Sequence, residues 1–169
     1  SGRITTMITV DIAEPDRLYE LISQSTECSR EAANDYGLPD FSWLNVAHAK
    51  RGLERKQSDE LLSTGLDEVE SQLRRELGVT DELELVIEGF LRPAPAGGTI
   101  AFKPRPSARG TWMQESYYKL SYNMVMAWIW GLNHAGVNVV WTANMEATAI
   151  YVVAAYKEDQ KKEHTTLRR

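Results

Sequence analysis

Cysteine is almost missing from this chain: Cys28 is the only one. A disulfide framework and a cysteine-based zinc centre are therefore excluded. Histidine is nearly as rare, and His48, His134 and His164 show none of the H-x-E or H-x-x-x-H spacings that would ligate a metal. They read as structural or exposed. No apolar run approaches the ~20 residues of a membrane helix. The polar residues 1–6 and the short apolar stretch behind them do not make a signal peptide. The expected setting is cytoplasmic, with no membrane partner. Internal repeats and low-complexity tracts are absent too.

Positive charge is in deficit, with a formal net charge of −5, which argues mildly against a nucleic-acid binder. Its distribution argues the other way. Residues 1–53 hold 8 acids and 5 bases, residues 54–88 hold 11 acids and 4 bases, and residues 89–169 hold 5 acids and 10 bases. Between Glu88 and Glu115 no acid occurs, but Arg92, Lys103, Arg105 and Arg109 do. The second half could meet a polyanion while the first half holds a metal ion. With 169 residues and 43% hydrophobic content, the chain suits one domain over 1–169 with a real core.

Residues 4–12 are rich in Thr, Val and Ile and predict a buried strand ending near Asp11. Pro15 opens a short helix with Leu18, Leu21 and Ile22 inward. Residues 29–36 are expected to continue helically until Gly37 and Pro39 stop them. Residues 40–47 and 53–56 are strand candidates around a turn at 50–52. Residues 57–77 predict one amphipathic helix, with Leu61, Leu62, Leu66, Val69, Leu73 and Leu77 on one stripe and Gly78 as its C-cap. Residues 84–90 read as a strand. Residues 91–111 hold four of the six prolines with Gly97, Gly98 and Gly110, which predicts a basic loop or protruding hairpin arm outside the core. Residues 117–134 read as a buried helix ended by Gly136, and 137–142 as a strand. Asn144 would cap a last helix with Ile150, Val153 and Ala154 inward, before a charged tail over 157–169. The alternation predicts an α/β layer fold, helices covering a mixed sheet.

Asp11, Asp40, Glu54 and Glu88 each fall within or at the end of a predicted strand. Strands of one sheet can bring such carboxylates to one edge. Two or three converging carboxylates form the hard-oxygen set that magnesium prefers. Lys56 lies two residues after Glu54, hence on the same face of its strand. Asp40, Glu54 and Lys56 could therefore make one site, in which the carboxylates hold the ion and Lys56 orients a water or neutralises developing charge. Asp11 is equally a ligand or a cap of the helix beginning near Pro15, and Glu14 is a cap. Arg55 points to the other face and would make a structural ion pair, with Asp59 as its partner.

These residues carry a resemblance. Val10-Asp11-x-x-Glu14, Pro39-Asp40-Phe41, Glu54-Arg55-Lys56 with Asp59, and Ile87-Glu88-Gly89 occur in the order seen in XPF-type structure-specific endonucleases, a branch of the PD-(D/E)XK superfamily. Ser63 and Gln72 fall where the family's next helix often carries serine and glutamine. The resemblance spans roughly residues 8–155. It departs at Ala13, where arginine is usual, at Pro39, where glycine is usual, and at Asp59, one residue early, so that Glu60 takes the strict spacing. The gap from Asp40 to Glu54 is also long, and the 91–111 arm has no counterpart.

The resemblance implies a restriction-endonuclease-like fold, a mixed central sheet flanked by helices. It implies a free-standing domain without a helix-hairpin-helix module. The implied activity is magnesium-dependent (manganese also serving) hydrolysis of phosphodiester bonds in branched or structured DNA. Asp40, Glu54 and Asp11 would be metal ligands and Lys56 catalytic, with Arg55, Asp59, Glu14 and Glu88 in support. Arg92, Lys103, Arg105 and Arg109 would contact phosphates. Relatives of this domain pair through it, so a homodimer is implied, with the apolar 117–134 segment as a candidate surface. The rival reading is a nuclease-fold DNA-binding or scaffold module that does not cleave.

Overall fold

The computed structural model describes residues 2–168; Ser1 and Arg169, the last residue of the charged tail, lie outside them. In chain order the elements are β1 (Ile8–Asp11), α1 (Asp16–Ser23), β2 (Cys28–Glu31), a 3-10 turn (Ala33–Tyr36), β3 (Phe41–Leu44), β4 (Lys50–Gln57), α2 (Ser58–Thr64) and α3 (Leu66–Leu77). There follow β5 (Glu82–Glu88), β6 (Phe90–Pro93), β7 (Thr99–Ser107), β8 (Gly110–Tyr118), α4 (Tyr122–His134), β9 (Val137–Thr142) and α5 (Met145–Asp159). Six strands form a mixed sheet in the order β2-β1-β3-β4-β5-β9. β4, β5 and β9 run parallel, and β3 is antiparallel to both β1 and β4.

The alternation of β5 explains the layers. Leu83, Leu85 and Ile87 enter a core with Leu61, Val69, Leu73, Val125 and Val137, under α2, α3 and α4. Val86 points the other way, into a core with Leu18, Ile22, Trp43, Leu53 and Val152, under α1 and α5. Helices thus cover both faces of the mixed sheet, as expected from the alternating pattern.

Five local expectations are corrected. Residues 28–31 are strand, not helix, because pairing with β1 satisfies their backbone groups. The helix expected over 57–77 is broken at Gly65, whose φ of 97° and ψ of 139° suit glycine alone. Tyr117 and Tyr118 belong to β8, and α4 begins only after Ser121, whose side chain accepts from the Met124 amide. That helix is not buried all round: Met124 and Trp130 are 61% and 66% exposed. On α5, Val153 is buried as expected, but Ile150 is 70% exposed and Ala154 also faces out.

The basic segment is a hairpin arm, yet its root lies in the core. β6, β7 and β8 form a three-stranded antiparallel sheet, and Leu91 and Ala101 join the cluster under α4. The prolines fit because β6 pairs with β7 only up to Phe102. Pro104 and Pro106 lie beyond it, paired with β8 alone. Lacking N–H groups, they can occupy only positions whose nitrogens face away from β8.

Candidate functional site

Pairing of Phe41 with Leu53 sets Asp40 opposite Glu54 where β3 begins. The Asp40 amide donates to Glu54 Oε1 at 3.2 Å. Asp40 Oδ2 accepts from the Arg55 amide at 2.9 Å, and Oδ1 from Asn34 Nδ2 at 3.4 Å. Glu54 Oε2 accepts from Gln72 Nε2 at 2.5 Å and lies 3.5 Å from Lys56 Nζ. Asp40, Glu54 and Lys56 therefore line one cavity of about 280 Å³, together with Glu14 and Gln72.

Electrostatics in this cavity are dominated by desolvation. Burial raises the Asp40 carboxyl above its usual range. Burial, then repulsion from Asp40 and Glu76, raises Glu54 strongly. Burial and the Asp40 charge push Glu14 up to about 8, against the pull of Arg55. Burial would lower the Lys56 ammonium, but Glu54, Glu60 and Asp40 outweigh it and hold Lys56 above the ordinary lysine value. Its positive charge is thus fixed between acids.

Among the described residues no cluster of three or more Asp, Glu, His or Cys side chains is assembled to hold a metal ion. The smaller set still fits magnesium, which keeps several waters and is commonly held by one or two carboxylates. Asp40 and Glu54 are two such oxygens, pushed toward protonation by burial, and Glu14 Oε1 is buried without a hydrogen-bond partner. A nearby cation would relieve all three.

Of the remaining predicted residues, Glu14 and Arg55 also line the cavity and the others take other places. Asp11 does not line the cavity. Its two oxygens accept from the amides of Ala13 and Asn34 at 2.9 and 2.8 Å, holding the 3-10 turn whose Asn34 touches Asp40. Arg55 does occupy the opposite face of β4, but its partner is not Asp59. It bridges Glu14 at 3.1 Å and Glu88 at 3.0 and 2.7 Å. Glu88 is fixed further by the Thr148 hydroxyl at 2.7 Å. Glu14 is therefore an ion-paired cavity residue rather than a helix cap. Asp59 pairs instead with Lys103 of the arm at 3.5 Å. Of the other arm cations, Arg92 lies over the Phe102 ring, Arg105 is held by Gln114, and Arg109 is exposed at the hairpin tip. Ser63 is exposed on α2 and bonds back to the Glu60 carbonyl.

Two site residues escaped the sequence reading. Asn34 sits in a stretch expected to be helical and carries no motif. Glu76 is buried, shares a hydrogen bond with Glu54, and is raised by burial to about 7. A signal for it existed: Gln72 and Glu76 interrupt the stripe of Val69 and Leu73 at helical spacing, polar groups where apolar ones belong.

No family model matches the chain, and no curated protein sequence does. Solved structures do. XPF from Aeropyrum pernix is similar, with a TM-score of 0.59 and 15% identity over 89% of this chain and 63% of that one. The complex of XPF from Aeropyrum pernix with DNA is similar with a TM-score of 0.57 and 14% identity, over 92% and 64% of the two chains. This chain thus spans less than two thirds of the length of the structures it matches. The fold is similar to that of XPF from Aeropyrum pernix, an α/β fold with a mixed central sheet flanked by helices.

Proposed function

We propose, from the premise of an XPF-type fold, that the protein is a metal-dependent DNA endonuclease hydrolysing phosphodiester bonds in branched or structured DNA. One observation carries the reading: Asp40, Glu54 and Lys56 converge in a single cavity on that fold. Asp40 and Glu54 would hold magnesium or manganese, which when bound acidifies a water and polarises a phosphoryl oxygen. Lys56, charged and anchored on Glu54, orients the attacking water and offsets the negative charge of the transition state. Gln72 and Asn34 fix the two carboxylates. Glu14, in contact with the cavity, is a better third oxygen than Asp11, which holds the turn behind it. One of the similar structures, XPF from Aeropyrum pernix, is a complex with DNA, which supports DNA as the partner. Arg92, Lys103, Arg105 and Arg109 on the arm would then meet phosphates. A homodimer through the exposed side of α4 completes the proposal.

The second reading, a DNA-binding module that does not cleave, is favoured by the lack of a ready three-ligand cluster among the described residues. Cleavage of labelled four-way junction, flap, splayed-arm and linear DNA separates the two. We expect cutting with magnesium or manganese and none with chelator, and a loss of at least ~10²-fold in Lys56→Ala and Glu54→Ala. Binding without cutting on every substrate establishes the second reading. Neither binding nor cutting overturns both.

A further inference from the structure

Next to the carboxylate cavity, and sharing Gln57 with it, lies a second cavity of about 360 Å³. It opens between α1, the start of α5 and the outer half of β7. Its volume is in the range that holds a small organic ligand. Leu21, Pro104 and Met145 give it apolar walls, and Arg17 and Arg105 stand beside them. Arg105 is fixed through Nε by Gln114 at 2.7 Å and has no carboxylate partner among the described residues, so its outer nitrogens remain free to bind. Two carboxylates also reach the cavity. Glu88 is spent on Arg55 and Thr148, and Glu146 is exposed.

That arrangement is wrong for a phosphate inside the slot, where Glu88 and Glu146 would repel it. It suits a flat uncharged ring between the apolar walls, with phosphates outside at the guanidinium groups. We propose that this cavity takes one unpaired nucleotide of the DNA strand whose neighbouring phosphate enters the carboxylate cavity. The proposal rests on the nuclease reading and deepens it. A base in duplex is stacked and paired and reaches such a slot only after extrusion, whereas an unpaired base enters without that cost. The slot therefore selects DNA with an unpaired nucleotide beside the cut.

The test uses the whole chain and splayed-arm DNA carrying 5-iododeoxyuridine at successive positions, irradiated in chelator so that no strand is cut. The cross-linked peptide is mapped by mass spectrometry. We expect adducts only for iodouracil in the unpaired positions next to the branch, and only in segments containing Thr111 or Met145. Thr111→Leu, which narrows the mouth from an exposed strand position without adding an aromatic photoacceptor, lowers the yield about tenfold. Arg105→Ala, which leaves the walls intact, does the same. Adducts elsewhere, adducts undiminished in both variants, or no adduct at any position overturn the proposal. Metal-dependent cleavage by the wild type, run in parallel, judges the nuclease reading alone. If wild type and both variants cut branched and linear DNA with unchanged preference, the slot fails while the nuclease stands.

Discussion

The most consequential single groups are Glu14 and Glu76. Burial raises them to about 8 and about 7 from an ordinary value of 4.5. Each binds its proton more tightly folded than unfolded. The stability this contributes is complete below pH 4.5 and is lost as pH rises through the folded values. In chelator, the melting temperature should fall as pH rises toward 8, and the Glu14→Gln/Glu76→Gln double variant should flatten that slope. Magnesium should raise the melting temperature near pH 8 by holding the carboxylates ionised; a flat wild-type profile would count against buried, strained acids here. Asp40, Glu54 and Lys56 were legible in the sequence because strand alternation fixes which side chains share a face. Glu14 against Asp11 was not, since their roles turn on a loop whose path depends on the distant Arg55 and Asn34. Glu88 was legible as a strand-end acid, but its guanidinium partner was not.

At the scale of the element, the arm's root is the sensitive point. Gly89 has a φ of 102°, and a Cβ there would press on the Phe102 carbonyl, which the Ser58 hydroxyl also reaches at 2.7 Å. Gly89→Ala should therefore destabilise the fold by about 2 kcal/mol or more, measurable by denaturant unfolding. By contrast, the part-buried pair Lys103–Asp59 should contribute no more than ~1 kcal/mol, so Asp59→Asn should fold normally. The strand and helix order was readable because apolar periodicity carries it. The failures have one cause, tertiary partners overriding local preference. β2 exists because β1 offers a ladder, β8 because β7 does, and α2 ends where Gly65 turns the chain toward Gln72 and its contact with Glu54.

Across the whole molecule, charge is unevenly distributed along the chain. Bases gather in the second half of the chain, so DNA binding should weaken steeply between about 50 and 200 mM salt, by fluorescence anisotropy, and Arg92→Ala and Arg109→Ala should each shallow that slope. On another side Met124 and Trp130 of α4 stand beside the edge strand β9, where Trp141 is 40% exposed. Trp130→Glu should convert a dimer to monomer in light scattering while leaving the melting temperature of the fold nearly unchanged. No helix among the described residues is long and apolar enough to cross a membrane, so this patch does not belong to a spanning helix. The prolines of β7 have a consequence of their own. A hairpin that stands out from its domain offers an open backbone edge on which a neighbouring chain could grow as an extra strand, the first step toward fibrous precipitate. Pro104 and Pro106 remove two donors from the β7 side of the arm, so that side is a poor template for such growth and only the outer edge of β8 stays open to it.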